Sequence, residues 1–314
     1  MDISYVIPVY NESESLARLV AAMAETAGRL PAHYDVEIIL VDDGSSDDSW
    51  RQIEAAAKHD ARFAGVRLSR NFGHQAALTC GYQFSRGRAV ICLDADLQDP
   101  PDVTLRMVEE WEKGADVVFA VRSMRRGETW FKLATASAFY WLIEKLGAVR
   151  TPRNSGDFRL LSRRALDALN GMPERHRYIR GLVGWLGFQA ATIEYERRER
   201  AAGVTKYPFT KMLRFATDAI VSMSFAPLRL AYAMAVLAAV PFLAYLGYAL
   251  VMYVLGRRAF APGWASLILA VIVFGTTILV FIGVMGEYVG RIYEEVKQRP
   301  LYLVRGSTRD TPRA

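Results

Sequence analysis

Cysteine is nearly absent from this chain, which has two cysteines, Cys80 and Cys92, among 314 residues. Both lie in apolar surroundings, which excludes a disulfide framework and fits a reducing compartment. The sequence also lacks internal repeats and low-complexity segments. No nucleic-acid-binding motif accompanies its net charge of +6. The positive charge therefore favours anionic lipid and phosphate ligands over nucleic acid.

Charged residues are missing from two long stretches near the C-terminus, residues 230–255 and 264–286. Each exceeds the ~20 residues that an α-helix needs to cross a bilayer core. We therefore expect two transmembrane helices, at residues 228–256 and 264–288. A pair of buried core helices is the alternative. Up to residue 219 the chain mixes charged and apolar residues as a globular domain does.

Basic residues around these stretches predict their orientation. They cluster before the first stretch and after the second: Lys206, Lys211, Arg214, Arg291, Lys297, Arg299 and Arg305. Arg257 and Arg258 in the intervening loop oppose this trend but are fewer. The positive-inside rule then predicts a cytoplasmic N-terminal part and a cytoplasmic tail at residues 289–314. No basic n-region precedes the first apolar residues, so we expect no cleaved leader. We expect disorder after Leu303.

Short β-branched runs alternate with helical patterns through the first 121 residues. The runs predict strands at residues 3–8, 36–41, 65–69, 89–93 and 116–121. The patterns between them predict helices at 12–30, 46–59, 75–86 and 101–113. This alternation predicts an α/β domain at residues 1–206, with a Rossmann-like, mainly parallel sheet and helices on both faces. Ligands of such sheets bind at the carboxyl ends of the strands.

The pattern is weaker beyond residue 121. It predicts helices at residues 130–146 and 163–170 and a strand at residues 190–196. Residues 207–227 combine apolar side chains with Lys211, Arg214 and Asp218, which predicts interfacial amphipathic helices lying on the membrane. An ordinary amphipathic surface helix is the alternative.

Two carboxylates, Asp94 and Asp96, directly follow an apolar strand. Alternate residues of an extended chain point the same way, so both can face one site. Mg²⁺ or Mn²⁺ prefers oxygen ligands and commonly uses one or two carboxylates plus substrate phosphates. The pair therefore predicts a divalent-metal site, although an acidic pair in a solvated loop is the common alternative.

A second acidic segment, Val41-Asp42-Asp43-Gly44-Ser45, also follows a buried strand. Asp42 could accept hydrogen bonds from a nucleobase or ribose, and Gly44 permits a tight turn. The alternative is a routine strand-to-helix turn with a helix cap.

These segments belong to a set of five ordered motifs. The set comprises Pro8-Val9-Tyr10-Asn11-Glu12, Val41-Asp42-Asp43-Gly44-Ser45, Asn71-Phe72-Gly73-His74-Gln75, Asp94-Ala95-Asp96-Leu97-Gln98-Asp99-Pro100 and Gly156-Asp157-Phe158-Arg159-Leu160. It resembles the inverting GT-A glycosyltransferases of family 2, within them the branch of dolichyl-phosphate mannose synthase and bacterial bactoprenol glucosyltransferase. The resemblance covers nearly the whole chain, because that bacterial branch also carries two C-terminal spans. The motifs are specific for fold and reaction type and not for the sugar.

The resemblance implies roles for individual residues on the donor side. Residues implied to line the nucleoside pocket are Pro8, Tyr10, Glu12 and Asp42. Asp94 would contact the donor, and Asp96 would be the principal ligand of Mg²⁺ or Mn²⁺, with Asp94 and Gln98 beside it. Some relatives have lysine where His74 stands, so we expect His74 to be a surface residue without a chemical role.

The acceptor side is rich in cations, since Arg122, Arg125 and Arg126 follow the fifth predicted strand. In the family, an arginine followed by Gly-x-Ser/Thr-Lys grips phosphate groups, and Arg200 with Gly203-Val204-Thr205-Lys206 matches that pattern. Residues expected to bind the lipid phosphate or diphosphate are Arg122, Arg126, Arg200 and Lys206. For any one arginine the alternative is a solvated charge, which we favour for Arg125.

Asp157 is the candidate catalytic base. A phosphate acceptor with a second pKa near 6 is already largely ionised at cytoplasmic pH, so the reaction needs no strong base. Asp157 would then orient the acceptor or pair with Arg159. We hypothesise such a positional role.

The resemblance implies transfer of a hexose from a UDP-sugar, such as UDP-glucose, to undecaprenyl phosphate at the bacterial inner membrane, with inversion at the anomeric carbon. The product, a polyprenyl-monophosphate sugar, would serve cell-envelope glycan modification. One rival is a processive polysaccharide synthase, but this chain lacks the Gln-x-x-Arg-Trp motif and the additional spans. The other rival is a non-catalytic protein that binds lipid-linked sugars.

Gly283 and Gly286 would allow close helix packing in a homo-oligomer.

Overall fold

The computed structural model describes residues 1–123, 152, 155–197, 225–256 and 264–309. The chain divides into two compact units, one formed by Met1–Phe215 with Pro300–Ala314 and the other by Ala216–Arg299. The predicted helix at 130–146 and residues 207–224 of the predicted interfacial helices lie outside the described residues.

The first unit alternates strands and helices as the sequence predicts. Its strands are β1 Ile3–Val9, β2 Val36–Asp42, β3 Phe63–Leu68, β4 Ala89–Cys92, β5 Val117–Arg122, β6 Ser155–Ser162, β7 Ala190–Tyr195 and β8 Val304–Ser307. Its helices are α1 Ser13–Gly28, α2 Ser49–His59, α3 His74–Phe84, α4 Val103–Glu112, α5 Arg163–Asn170 and α6 Ile179–Trp185. The strands and helices predicted within the first 121 residues are confirmed, with ends shifted by at most three residues.

The strands form one sheet in the order β7-β5-β6-β4-β1-β2-β3-β8. The pairs β1–β2, β1–β4, β2–β3 and β5–β7 are parallel, whereas β6 and β8 run antiparallel to their neighbours. Val9 pairs with Asp42, so β1 and β2 end side by side. Cys92 pairs with Val6 on one side and with Arg159 on the other. The start of β6 therefore meets the carboxyl ends of the parallel strands.

The central strands are continuous apolar runs because helices cover both faces of the sheet. Nearly every residue of β1 and all of β2 are buried, as expected for parallel strands covered on both faces. On one face, Leu16, Leu19 and Met23 of α1 recur at helical spacing and join the main core. On the other face, Ala77 and Cys80 of α3 pack against β2 and β3. Two helical layers thus sandwich the sheet and leave its carboxyl edge for the site.

Two antiparallel strands were not predicted. β6 inserts between β4 and β5, and β8 adds to the outer edge of β3. The expectation of disorder after Leu303 is wrong for β8: Val66 pairs with Ser307, and Ser69 N donates to Leu303 O at 2.8 Å. A four-residue strand with mixed polarity has little local signal, and pairing with β3 supplies its hydrogen bonds.

The second unit contains two long helices, α7 Ala226–Val254 and α8 Trp264–Val296. Within the described residues, one segment, Ala270–Val296, has the length and composition of a membrane span: 27 residues with a mean hydropathy of 2.1. None of its apolar window is buried, and side chains such as Leu279 are 70% exposed. The first predicted span is helical over 29 residues, but two spans stay a prediction.

Candidate active site

The loops that follow β1 and β2 are joined by hydrogen bonds between side chains and backbone. Asn11 N donates to Ser45 Oγ at 2.9 Å, and Ser46 N donates back to Asn11 Oδ1 at 2.9 Å. Asn11 adopts φ of 52°, a left-handed conformation that asparagine tolerates well. Glu12 N donates to Ser49 Oγ at 3.1 Å. These bonds fix the two loops as one rigid wall of the site.

Asp42 is fully buried at the end of β2. Its Oδ1 accepts a hydrogen bond from Ser45 N at 2.9 Å, and its Oδ2 lies 3.2 Å from Arg67 Nε. The carboxylate thus closes the turn and pairs with Arg67 inside the domain. Its predicted contact with the nucleoside stays a prediction.

Asp43, the next residue, joins the β2 loop to the segment before α3. Its two carboxylate oxygens accept hydrogen bonds from Phe72 N at 2.8 Å and Gly73 N at 2.9 Å. Burial raises the pKa of Asp43, an effect that these two bonds partly offset. The motif around Asn71 is therefore held in place by the motif around Asp42.

The other predicted nucleoside residues lie at the end of β1. Tyr10 is 49% exposed, while Pro8 and Glu12 are partly buried. Pro8 pairs with Val41 in the β1–β2 register, so these residues stand beside the loop after β2. The structure brings the predicted nucleoside residues to one end of two adjacent strands. What they bind stays a prediction.

Asp94 and Asp96 follow β4 and are both partly buried, with the intervening Ala95 buried between them. Gln98 N donates to Asp96 Oδ1 at 3.1 Å, and Leu97 adopts φ of 55°, so the chain turns sharply here. That both carboxylates face one site stays a prediction. Both carboxylates stand at the carboxyl edge of the sheet, with Gln98 in the same turn.

The residues fit a divalent cation, although no three His, Cys, Asp or Glu side chains in the described part of the chain converge as a metal site. Burial raises the pKa of Asp94, His74 opposes the shift, and Asp157, Asp99 and Asp96 add to it. These neighbouring carboxylates disfavour one another's negative charge, and a bound cation would stabilise their ionised forms. One or two carboxylates plus substrate phosphates suffice for Mg²⁺. Asp94, Asp96 and Gln98 would be the protein groups nearest to it.

Asp157 lies near the start of β6, two residues before Arg159, which pairs with Cys92 at the end of β4. Arg180 binds Asp157 with two hydrogen bonds, from Nε to Oδ1 at 3.0 Å and from Nη2 to Oδ2 at 2.8 Å. Arg159 Nη2 donates to Oδ1 at 2.7 Å. Burial would raise the pKa of Asp157, but His74 and then the two arginines hold it well below its ordinary value. Asp157 is thus an ionised, cation-bound carboxylate.

His74 lies at this site, which sequence reasoning missed. It begins α3, and its Nε2 lies 3.5 Å from Asp157 Oδ2 and 3.8 Å from Asp94 Oδ1. Its side chain is 41% exposed, so it is a surface residue as expected, but one placed between two predicted site carboxylates. The motif Asn71-Phe72-Gly73-His74-Gln75 was the available signal. No sequence signal identified Arg180, because the helix that contains it was not predicted.

Of the predicted phosphate-binding residues, the structure describes Arg122. It ends β5, and its Nη2 lies 3.6 Å from Oδ2 of the buried Asp99. Arg125, Arg126, Arg200 and Lys206 lie outside the described residues, so their roles stay predictions. Arg122 and Asp157 are brought to the same edge of the sheet.

Comparison with known proteins identifies close similarities. Residues 4–169, more than half of the chain, match the model of glycosyl transferase family 2. The chain is 42% identical to an uncharacterized glycosyltransferase, YkcC, of Bacillus subtilis, over 97% of this chain and 93% of that protein. It is 38% identical to the SfII prophage-derived bactoprenol glucosyl transferase of Shigella flexneri, over 99% and 100% of the two chains.

Solved structures are more distant. Glucosyl-3-phosphoglycerate synthase from Mycobacterium tuberculosis is 19% identical over 70% of this chain and 77% of that chain, with a TM-score of 0.46. At that distance the likeness has no bearing on the site or its ligands.

Proposed function

The chain belongs to glycosyl transferase family 2, and from this premise we propose that it is a membrane-bound, inverting hexosyltransferase with polyprenyl phosphate as its acceptor. It is a glycosyltransferase with a GT-A-like, mainly parallel α/β domain. The observation that carries the proposal is the convergence of Asp94 and Asp157 with His74 and Arg180 at the carboxyl edge of the sheet.

The proposed donor is UDP-glucose or a related UDP-hexose, and the proposed acceptor is undecaprenyl phosphate. The near full-length similarity to proteins named bactoprenol glucosyl transferase supports glucose as the sugar and a bactoprenol-based acceptor. The five ordered motifs span the loops of this edge, which supports binding of the donor there. The product would be a polyprenyl-monophosphate sugar.

In the proposed reaction, an oxygen of the acceptor phosphate attacks the anomeric carbon of the donor. The bond from that carbon to the diphosphate oxygen breaks, nucleoside diphosphate leaves, and the configuration inverts. An ionised phosphate needs no proton removed, and Asp157, bound by Arg159 and Arg180, is poorly suited to remove one. We infer that Asp157 holds Arg180 and His74 in place. Catalysis would then rest on orienting two anionic substrates.

A divalent cation fits this proposal. Mg²⁺ or Mn²⁺ bound near Asp94, Asp96 and Gln98 would neutralise charge that develops on the departing diphosphate. The carboxylates of the turn after β4 would hold the ion and orient the donor.

We also propose that α7 and α8 both cross the bacterial inner membrane, with the catalytic unit and both termini in the cytoplasm. The support is the length of both helices and the exposed apolar surface of their described residues. An acceptor lipid cannot leave the bilayer, which would explain why the enzyme is anchored there. Close packing at Gly283 and Gly286 in a homo-oligomer stays a further proposal.

The test uses membranes that contain the full chain, undecaprenyl phosphate and a panel of labelled UDP-hexoses. We expect label to enter the chloroform-extractable fraction only when Mg²⁺ or Mn²⁺ is present. Long polymer would identify a processive synthase, and no transfer with any donor would favour a binding protein. Thermal shift with each UDP-sugar and Mn²⁺ would identify the donor separately, because ligands of the folded state raise Tm.

A further inference from the structure

The strand β6 carries a bulge at Asp157. Phe119 of β5 pairs with Arg159 of β6. Two residues further along β5, Val121 pairs with Ser155, which lies four residues before Arg159. The strand β6 therefore has two extra residues between these pairs, and Asp157 lies among them. Bulges of this kind occur beside active sites, where they change the direction of a side chain.

The backbone of the bulge lacks the usual strand partners. In the described ladders with β4 and β5, neither Gly156 nor Asp157 has a partner residue. Buried carbonyl groups require hydrogen-bond donors, and Arg159 supplies two of them. Its guanidinium group is fully buried and donates from Nε to Asp157 O and from Nη2 to Gly156 O, each at 3.1 Å. A side chain of the same strand thus replaces the missing ladder bonds.

A buried thiol binds the same carbonyl group. Cys92 Sγ donates to Asp157 O, and Tyr82 Oη donates to Cys92 Sγ at 3.0 Å. Burial raises the pKa of Cys92 to about 11, although Arg159 opposes the shift, so the group is a thiol with a proton to donate. Cys92 and Tyr82 are each 1% exposed. A chain of hydrogen bonds therefore runs from α3 through the end of β4 to the backbone of Asp157.

The residue after Asp157 fixes the other face of the bulge. Phe158 is buried in the main core, and its ring packs edge-on against Tyr195 with centroids 5.5 Å apart. Successive residues of a strand point to opposite faces of the sheet. The carboxylate of Asp157 is accordingly turned away from this core and towards His74 and Arg180.

We propose that Cys92 and Tyr82 are positioning residues that hold the bulge of β6 and, through it, the carboxylate of Asp157. Both are buried and act on the backbone of Asp157, whereas Arg180 and His74 contact its side chain. Displacement of a positioning carboxylate by about 1 Å is enough to slow a reaction strongly. The inference rests on the proposed function for its kinetic test, since Asp157 is there inferred to hold Arg180 and His74.

The first test is Cys92→Ala in the full-length enzyme. The change removes the thiol that donates to Asp157 O, so we expect kcat of sugar transfer to fall about fivefold, with smaller changes in KM for both substrates. Cys92→Ser should recover most of the lost rate, because its hydroxyl can donate to the same carbonyl group. Tyr82→Phe should lower kcat in the same direction and by less. An unchanged kcat in Cys92→Ala overturns the proposal.

Cys80→Ala is the matched control. Cys80 is as deeply buried as Cys92, but it lies in the smaller core cluster that α3 forms with β2 and β3. Each variant deletes one buried sulfur atom, so we expect similar losses of Tm. Only Cys92→Ala should lower kcat. An equal fall of kcat in both variants would assign the effect to packing and overturn the proposal.

A double-mutant cycle tests whether Cys92 acts through Asp157. If it does, Cys92→Ala should lower kcat much less in an enzyme that already carries Asp157→Asn than in the wild-type enzyme. A general structural role would give the same factor in both backgrounds. Such additivity would contradict positioning through Asp157.

Failure of the proposed function alone would look different. If the wild-type enzyme transfers no sugar, the hydrogen bond is measured from the infrared S–H stretching band of the Cys80→Ala protein, in which Cys92 is the one remaining cysteine. Donation to a carbonyl oxygen weakens the S–H bond, so we expect this band below the frequency of an unbonded thiol in an apolar solvent. A band at the unbonded frequency overturns the role of Cys92 whatever the activity.

Discussion

The aspartates along the carboxyl edge of the sheet fall into two regions that neutralise charge differently. After β2, Asp43 and Asp47 accept hydrogen bonds from backbone N–H groups of neighbouring segments. After β4 and at the start of β6, Asp99 and Asp157 face guanidinium groups. A carboxylate bound by backbone shapes a loop, whereas one bound by arginines positions positive charge. The first region therefore shapes the loops of the site, and the second positions positive charge that would face the anionic substrates we propose.

The largest effect on activity is expected from replacing a carboxylate that would bind the metal ion. Asp96→Asn should lower kcat by roughly a thousandfold, because it removes the charge of the principal metal ligand that we propose. Thermal unfolding of the variant should match that of the wild-type enzyme. Asp48→Asn is the control, since its side chain is 67% exposed. Full activity of Asp96→Asn with either metal would contradict the assignment.

The second-largest effect is a loss of stability, expected from a substitution in the region where backbone groups bind the aspartates. Gly44 adopts φ of 70°, and a Cβ there would lie 2.3 Å from the backbone carbon of Arg70. Gly44→Ala should therefore destabilise the catalytic unit by about 3 kcal/mol through strain and clash. Gly114→Ala is the control for backbone strain alone, because Gly114 has φ of 102° with nothing near its Cβ position. The difference between the two variants then measures the clash. Equal Tm losses for the two variants would show that the contact with Arg70 adds nothing.

Asp157→Asn tests the cation-bound region. It keeps the shape of the side chain but leaves Arg180 and Arg159 without their carboxylate, so we expect kcat to fall on the order of tenfold. Because the pKa of Asp157 is well below its ordinary value, the group stays ionised between about pH 5 and 8. Burial would lower the pKa of the neighbouring His74, but Asp157 raises it, so any limb of the pH profile that belongs to His74 should move to lower pH in the variant. An unchanged kcat would contradict the positional role.

The smallest effect is a pH dependence of stability from Asp47. Burial would raise its pKa, but hydrogen bonds from Ser49 and then Ser13 lower it from 3.8 to about 2. A depressed pKa contributes stability above the unfolded-state value, and this contribution is lost as pH falls towards 2. From about pH 5 downwards, Tm of the wild-type protein in detergent should fall more steeply than that of Asp47→Asn. Parallel curves would contradict the prediction.

Much of the fold was predictable because its signals are local. The continuous apolar runs of β1 and β2 and the helical spacing of Leu16, Leu19 and Met23 mark these elements without reference to the rest of the chain. The position of Asp94 after a buried strand was predictable for the same reason. β6 was not predicted as a strand, although its motif was recognised, because an antiparallel insertion between β4 and β5 depends on distant partners.

The sequence by itself determined the alternation of strands and helices, the strand-end aspartates, the long apolar stretches and, through five ordered motifs, the family. Those properties depend on neighbours within a few residues. Only the tertiary structure decided that His74 and Arg180 meet Asp157, and that the Cys92 thiol binds its backbone. The physical reason is that a carboxylate's charge state and partners depend on which distant segments the sheet brings beside it. A candidate base in the sequence thus became, in the fold, the anchor of two arginines.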